Sequence, residues 1–401
     1  MVFAILAVNA YFPARREPWT VASFALGWIP SELPVHMVAL EVAGVVAFAV
    51  NGAFSSWPGW AGLAVSALGA VAFAGLAVAA AGAGALVDEA LERATGGAVL
   101  GLADDRRPAW IHWWRLVIAI PFRFRGIRRV RNVDYWGDGN YRHKLDILSR
   151  RGVVPERAPV LVYIHGGAWM IGDKRQQGIP MMHELVQRGW VCVSINYRLS
   201  PRATWPAHIV DCKRAVAWVR QHIAEYGGDP GFIAVSGGSA GGHLASLLAL
   251  TPGEAQWQPG FEDLDTSVAA CVPYYGVYDM TGDPERSGAY GPGTLDLLER
   301  RVMKTSSSDH PTVFEQASPD HRVTTTAPPM LVFHGVNDTL VPLAVARHFV
   351  AELRLHSQSP VAAVELPRAQ HAFDVLASIR CRHTTMGAVR FLEGMRVRVD
   401  H

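Results

Sequence analysis

Residues 42–87 contain no charged side chain, a run of 46 positions made mostly of Ala, Gly, Val and Leu. One membrane-spanning helix takes about 20 apolar residues. The run therefore holds two, at about 35–54 and 60–87, broken at SSWPGW (55–60), where Pro58 and Gly59 supply the turn. Two helices buried in a soluble cap would have the same composition, but the length and purity of the run favour a membrane hairpin. Glu41 falls near the outer end of the first span, where a charge reaches the interface. The opening MVFAILAVNAYF has no basic residue ahead of it, and Arg15 and Arg16 follow it, so a secretory signal fits poorly. Residues 20–29 are also apolar and leave room for a third membrane element.

Behind the hairpin, residues 108–132 read PAWIHWWRLVIAIPFRFRGIRRVRN. Trp110, Trp113 and Trp114 cluster at one end and Arg123, Arg125, Arg128, Arg129 and Arg131 at the other. Such flanks around an apolar centre suit an interfacial helix; an ordinary surface helix with a basic face is the plainer reading. Basic residues on both sides of an uncharged turn put the flanks, and the domain after them, on the cytoplasmic side by the positive-inside rule, with delivery to the cell envelope as the alternative. The net charge of +2 gives no global reason to expect nucleic acid as a partner. Cys192, Cys212, Cys271 and Cys381 show no CxxC spacing and read as free thiols.

From Tyr135 onward the composition becomes that of a globular enzyme. Apolar runs at 160–164, 191–196, 232–235, 269–274, 330–333 and 362–365 read as strands. Helical patterns at 176–187, 209–226, 242–250, 344–355 and 386–394 lie between most of them, the mark of a mostly parallel sheet. Residues 281–328 are a long polar insertion between two strands, the usual form of a lid or binding segment.

Gly237-Gly238-Ser239-Ala240-Gly241 satisfies G-x-S-x-G between a predicted strand and a predicted helix, the context of a nucleophile elbow. Glycines remove side chains that would collide there, and the helix N-terminus points free N–H groups at forming charge. HGGAW (165–169) follows the first of these strands; Gly166 allows a turn, and the N–H groups of Gly167 and Ala168 join that of Ala240 as an oxyanion hole. His165 reads as structural. In the usual order, acid and then histidine follow the serine. Asp338, in HGVNDTLVP, and His371, in PRAQHAFD, each lie on a loop at a strand's C-terminal end. Asp279 comes too early for that order, Asp374 lies three residues past the histidine, His243 faces backbone and His334 precedes the acid loop. The candidate triad is Ser239, His371 and Asp338.

HGGAW, NYRLSP (196–201), GGSAGG, HGVNDTLVP and HAFD stand in the order and spacing of the hormone-sensitive-lipase-like carboxylesterases of the α/β-hydrolase superfamily, which residues 135–392 resemble. The resemblance implies an α/β-hydrolase fold, a mostly parallel sheet with flanking helices and a lid, preceded here by an α-helical membrane hairpin. WPA (205–207) and Asp211 match the family in a structural role. Ala168 replaces the last glycine of HGGG, and Gly238 replaces the acid of GDSAGG. Both forms also resemble feruloyl and acetyl-xylan esterases and arylformamidases. In layout the chain resembles membrane-anchored esterases of actinobacteria.

The implied activity is hydrolysis of short- to medium-chain carboxylic esters through an acyl-enzyme on Ser239. An acyltransferase or amidase would use the same triad on a membrane or envelope substrate, and a catalytically inert binding protein would lack His371. Neither cofactor nor metal is expected, since no His/Asp cluster has metal-ligand spacing. The expected partners are a small-molecule or lipid ester and a membrane. The expected units are a hydrophobic region (1–101), a basic linker (102–134) and a catalytic domain (135–401) with its lid at 281–328.

Overall fold

Short runs of Val, Ile, Leu and Ala without alternation suit strands covered on both faces. The computed structural model describes residues 1–101, 119, 126–153, 156–287 and 292–399. In it these runs become β3 (Ala158–Ile164), β4 (Val191–Ile195), β5 (Gly228–Gly238), β6 (Ala270–Tyr274), β7 (Met330–Gly335) and β8 (Val361–Leu366). Every residue of β3, β4 and β6 is buried. With β1 (Ile127–Asp134) and β2 (Lys144–Arg150) they form one sheet in the order β1-β2-β4-β3-β5-β6-β7-β8. Only the β1–β2 and β2–β4 pairings are antiparallel.

β1 and β2 lie outside the strands expected from sequence. β1 reads IRRVRNVD, and its arginines point largely to solvent along a sheet edge. Charge on an edge strand blocks pairing with other chains, yet in sequence it looks like a basic linker. Arg128, Arg129 and Arg131, assigned above to an interfacial helix, are thus strand residues. Trp110, Trp113, Trp114, Arg123 and Arg125 lie outside the described residues.

Helices cover both faces. α7 (Ala207–His222), α8 (Ala240–Leu250) and α9 (Leu343–His356) pack on one. The other carries α5 (Ala83–Thr95), α6 (Ile179–Gln187) and α10 (Ile379–Val399). The place of α5 changes the reading of the N-terminal region. Ala83, Val87 and Leu91 are fully buried in the same cluster as Leu331, Phe333 and Leu392. The last part of the apolar run therefore belongs to the hydrolase core.

The remaining N-terminal helices are α1 (Val2–Tyr11), α2 (Thr20–Glu32), α3 (Pro34–Val50) and α4 (Trp57–Ala81). The first helix of the hairpin stops at Val50 and the next starts at Trp57. Pro58 sits in the first turn of α4, where a missing N–H is harmless, so the turn precedes it. α4 and α5 read as one helix, Trp57–Thr95, the one described helix long and apolar enough by itself to cross a membrane; α2 and α3 qualify only as a pair bent by 91°. Glu41 lies mid-helix in α3 and is buried, with Gly69 of α4 leaving room for its carboxylate. All but five of the exposed large apolar side chains among the described residues lie between Met1 and Val78.

Candidate active site

The C-terminal ends of parallel strands are where α/β sheets place their chemistry. β5 ends at Gly238 and α8 begins at Ala240, so Ser239 makes the turn alone, with φ 58° and ψ −124°. A non-glycine residue held in such a region costs on the order of 1–3 kcal/mol. Its surroundings impose the conformation: a side chain at Gly241 would strike the carbonyl oxygen of Ile164 at the end of β3. The Ser239 N–H donates to Tyr274 O at 3.0 Å. Its side chain is partly exposed and forms no hydrogen bond among the described residues.

After β3 the chain turns sharply, with Gly167 at φ 120°, Ala168 at 51° and Trp169 at 58°. The Gly166 N–H donates to Gln177 Oε1 at 2.7 Å, so Gly166 contributes room and not a donor. A methyl group added there would lie 3.1 Å from Ser239 Cβ, which fixes how closely the two loops approach. The N–H groups of Gly167 and Ala168 have no acceptor among the described residues. Ala240 opens α8, where N–H groups have no intrahelical partner. These are three free donors on the two loops flanking Ser239.

Asp338, on the loop after β7, accepts from the N–H groups of Leu340 (2.8 Å) and Val341 (2.9 Å) through Oδ1. Its Oδ2 faces His371 Nδ1 at 2.6 Å. Burial acts to raise the Asp338 pKa, but the facing His371, its hydrogen bond and nearby His334 together hold it below the ordinary carboxylate value. A buried carboxylate in that state fixes the imidazole tautomer and favours its protonated form. Gln370 Oε1 accepts from the Thr339 N–H (3.2 Å) and the His371 N–H (3.3 Å), tying the acid and base loops together.

Two aromatic rings pack on His371. Tyr275, just past β6, lies 4.4 Å from it between centroids and bonds to the buried Asp374. A side chain at Gly238 would come within 2.8 Å of the Tyr275 hydroxyl, so this tyrosine links the serine elbow to the base. The second ring is Phe24 of α2, edge-on at 6.2 Å. The N-terminal helices grip both loops. Thr339 Oγ1 donates to Thr20 O (2.9 Å) and Asn337 Nδ2 to Ala10 O (2.8 Å). Trp28 Nε1 donates to Ala372 O (2.9 Å). The buried Arg380 pairs with Glu32.

The other candidates fall elsewhere. His165 stacks on Tyr197 at 4.5 Å and bonds to Gly166 O, and burial lowers it to about 4. His243 accepts from Trp169 Nε1 (3.2 Å) and donates to Ala317 O (2.7 Å), which holds the insertion to α8. His334 donates to Val341 O at 3.0 Å. Asp211 is bound by Arg198 and is structural. Asp279 is remote in sequence from Asp320 and His321, yet the fold brings the three within 4.8 Å of one another. The sequence shows no metal-ligand spacing among these residues; the grouping exists only in the fold. Sequence reasoning missed Phe24, Gln177, Tyr275 and Gln370. Gln370 sits beside His371 and could have been found; nothing in the sequence pairs residue 24 with residue 371.

A family model described as BD-FAE matches residues 145–353. The probable carboxylic ester hydrolase LipM of Mycobacterium tuberculosis (strain ATCC 25618 / H37Rv) is 43% identical over 98% of this chain and 91% of its own length. Esterase LipQ of the same organism is 49% identical over 64% of this chain and 60% of its own. Among solved structures, a truncated carbohydrate esterase from gut microbiota covers 67% of this chain and 96% of its own, with TM-score 0.56 and 24% identity. The butyrate-bound esterase Est2 of Thermogutta terrifontis covers 67% and 94%, with TM-score 0.55 and 24% identity. Likeness at that identity carries the fold alone.

Proposed function

Since the chain belongs to the BD-FAE family of α/β-hydrolase esterases, and is a carboxylic ester hydrolase, we propose that it works through an acyl-enzyme on Ser239 with short- to medium-chain substrates. His371 takes the Ser239 proton as the hydroxyl attacks the ester carbonyl. The N–H groups of Gly167, Ala168 and Ala240 receive the developing oxyanion, a contribution typically worth 10²–10³ in rate per donor. His371 then protonates the departing alcohol, and water repeats the sequence on the acyl-serine. Asp338 orients the imidazole throughout. The observation that carries this reading is the 2.6 Å contact between His371 Nδ1 and a buried Asp338, at the sheet edge where Ser239 turns.

The same proposal sets the enzyme on a membrane. The exposed large apolar side chains crowd onto α1 to α4, the pattern of a surface that meets a membrane or a partner. Arg15 donates to Val336 O at 2.8 Å, so the basic N-terminal loop lies level with the catalytic loops. By the positive-inside rule this supports a cytoplasmic catalytic face.

The test is hydrolysis of p-nitrophenyl esters from two to sixteen carbons by the wild type and Ser239→Ala. A rate that falls steeply beyond about eight carbons and disappears in the variant supports the reading. Turnover that survives in Ser239→Ala would end it.

A further inference from the structure

Of the buried side-chain atoms without a hydrogen-bond partner among the described residues, four gather in one place that the ester chemistry does not use. They are Asp279 Oδ2, Asp320 Oδ2, His321 Nε2 and His348 Nε2. The donor atoms of Asp279, Asp320 and His321 all lie within 4.8 Å of one another, and His348 Nε2 lies 3.7 Å from Asp320 Oδ2. Asp279 follows β6, Asp320 and His321 lie on the turn Pro319–Arg322 that closes the insertion, and His348 belongs to α9.

Two carboxylates buried side by side repel each other and lose hydration, which is costly unless a cation or a proton answers them. Protein cations answer them poorly. Arg286 Nη1 stands 3.7 Å from Asp320 Oδ2, is about one-third exposed and also faces Asp283. No ion pair is formed by Asp279 among the described residues. Its other oxygen accepts from the Thr281 N–H (2.8 Å) and hydroxyl (2.6 Å), which leaves Oδ2 for the cluster.

We propose that Asp279, Asp320 and His321, with His348 as a fourth ligand, bind one divalent first-row cation, Zn²⁺ or Mn²⁺. Carboxylate with imidazole suits these ions, whereas Ca²⁺ and Mg²⁺ favour all-oxygen sets. Donors on a tetrahedral ion of this kind stand about 3.4 Å apart, so the side chains, whose donor atoms lie within 4.8 Å of one another, draw in by up to about 1.4 Å to close the set. The site is structural. Hydrogen bonds already hold its parts in line, from the Asp320 N–H to Tyr278 O (3.1 Å) and from the Met280 N–H to the Ser318 hydroxyl oxygen (2.8 Å). The ion ties the root of the insertion to α9 and to the segment that carries Tyr275.

The test uses the untagged full chain in detergent, stripped with a chelator and then titrated with Zn²⁺, Mn²⁺ or Ca²⁺. Metal content after desalting and melting temperature are read for wild type, Asp279→Asn and His321→Gln; neither readout needs turnover. One Zn²⁺ or Mn²⁺ per chain, a melting temperature raised by several degrees, and binding at least tenfold weaker in the variants are expected. His321→Gln serves if Asp279→Asn does not fold. A wild type that retains no metal and shows no shift overturns the site, as does an equal response in the variants. The cluster is then an acid pair sharing a proton.

Discussion

Phe24 of α2 meets His371 edge-on, with ring centroids 6.2 Å apart and planes at 81°. A side chain from the hydrophobic N-terminal region thus covers one side of the candidate base. Truncating it opens space beside His371, where the proposed mechanism places the acyl group. Phe24→Ala is expected to raise turnover of esters longer than about eight carbons by about tenfold relative to the butyrate. An unchanged chain-length profile would count against this wall.

The helix carrying Phe24 also holds the loops. Thr20, Trp28 and Glu32 of α2, with Ala10 of α1, all bond to the acid and base segments or to the start of α10. Deleting residues 1–33 is therefore expected to lower kcat on a water-soluble acetyl ester by at least about tenfold, since small misplacements of catalytic groups cost that much or more. Full activity in the folded truncation would show that the N-terminal helices serve location alone.

Asp338 is bound by two N–H groups as well as by His371. Asp338→Asn keeps the shape but can stabilise the wrong imidazole tautomer. Its kcat is expected to fall on the order of 10³–10⁴-fold with little change in melting temperature.

Glu32 and Arg380 are buried together although 348 positions separate them in the chain. Glu32→Ala would leave the guanidinium unpaired, at a cost of about 3–5 kcal/mol. Glu32→Leu combined with Arg380→Met is expected to recover much of that loss in thermal unfolding.

Burial lowers His165, His208 and His243 to about 4 in the folded chain, against about 6.5 when unfolded. Between those values the unfolded chain binds protons that the folded chain refuses. Their stabilising contribution is complete above about pH 6.5 and is lost as the pH falls toward 4, with a slope of about 1.4 kcal/mol per pH unit for each. Asp374 acts in the opposite sense. Burial raises it to about 6, so its contribution is present below its ordinary value near 4 and is lost as the pH rises through 6. Melting curves should show acid unfolding across pH 6.5–4, and Asp374→Asn should gain stability at pH 7.5 but not at pH 4.

The candidate triad was legible because each member sits beside local punctuation: glycines around Ser239, and short loops after β7 and β8 for Asp338 and His371. The central strands were legible for a similar reason, as uninterrupted apolar runs. β1 was not, because an arginine-rich edge strand has the composition of a linker. α5 was hidden inside an apolar run whose two ends serve different surroundings. Phe24 against His371, and Asp279 against Asp320, are encounters between distant segments, and no local periodicity encodes them.

The helix Trp57–Thr95 has a further consequence. One end is bare apolar surface and the other is locked in the hydrolase core. At about 1.5 Å per residue it is a strut of fixed length. On the membrane reading proposed above, with the bare end in a bilayer, the serine would be held at a set height above the lipid. Reach then becomes a selection rule: esters whose carbonyl floats at that depth are presented to the enzyme, and chemically identical ones deeper in the lipid are not.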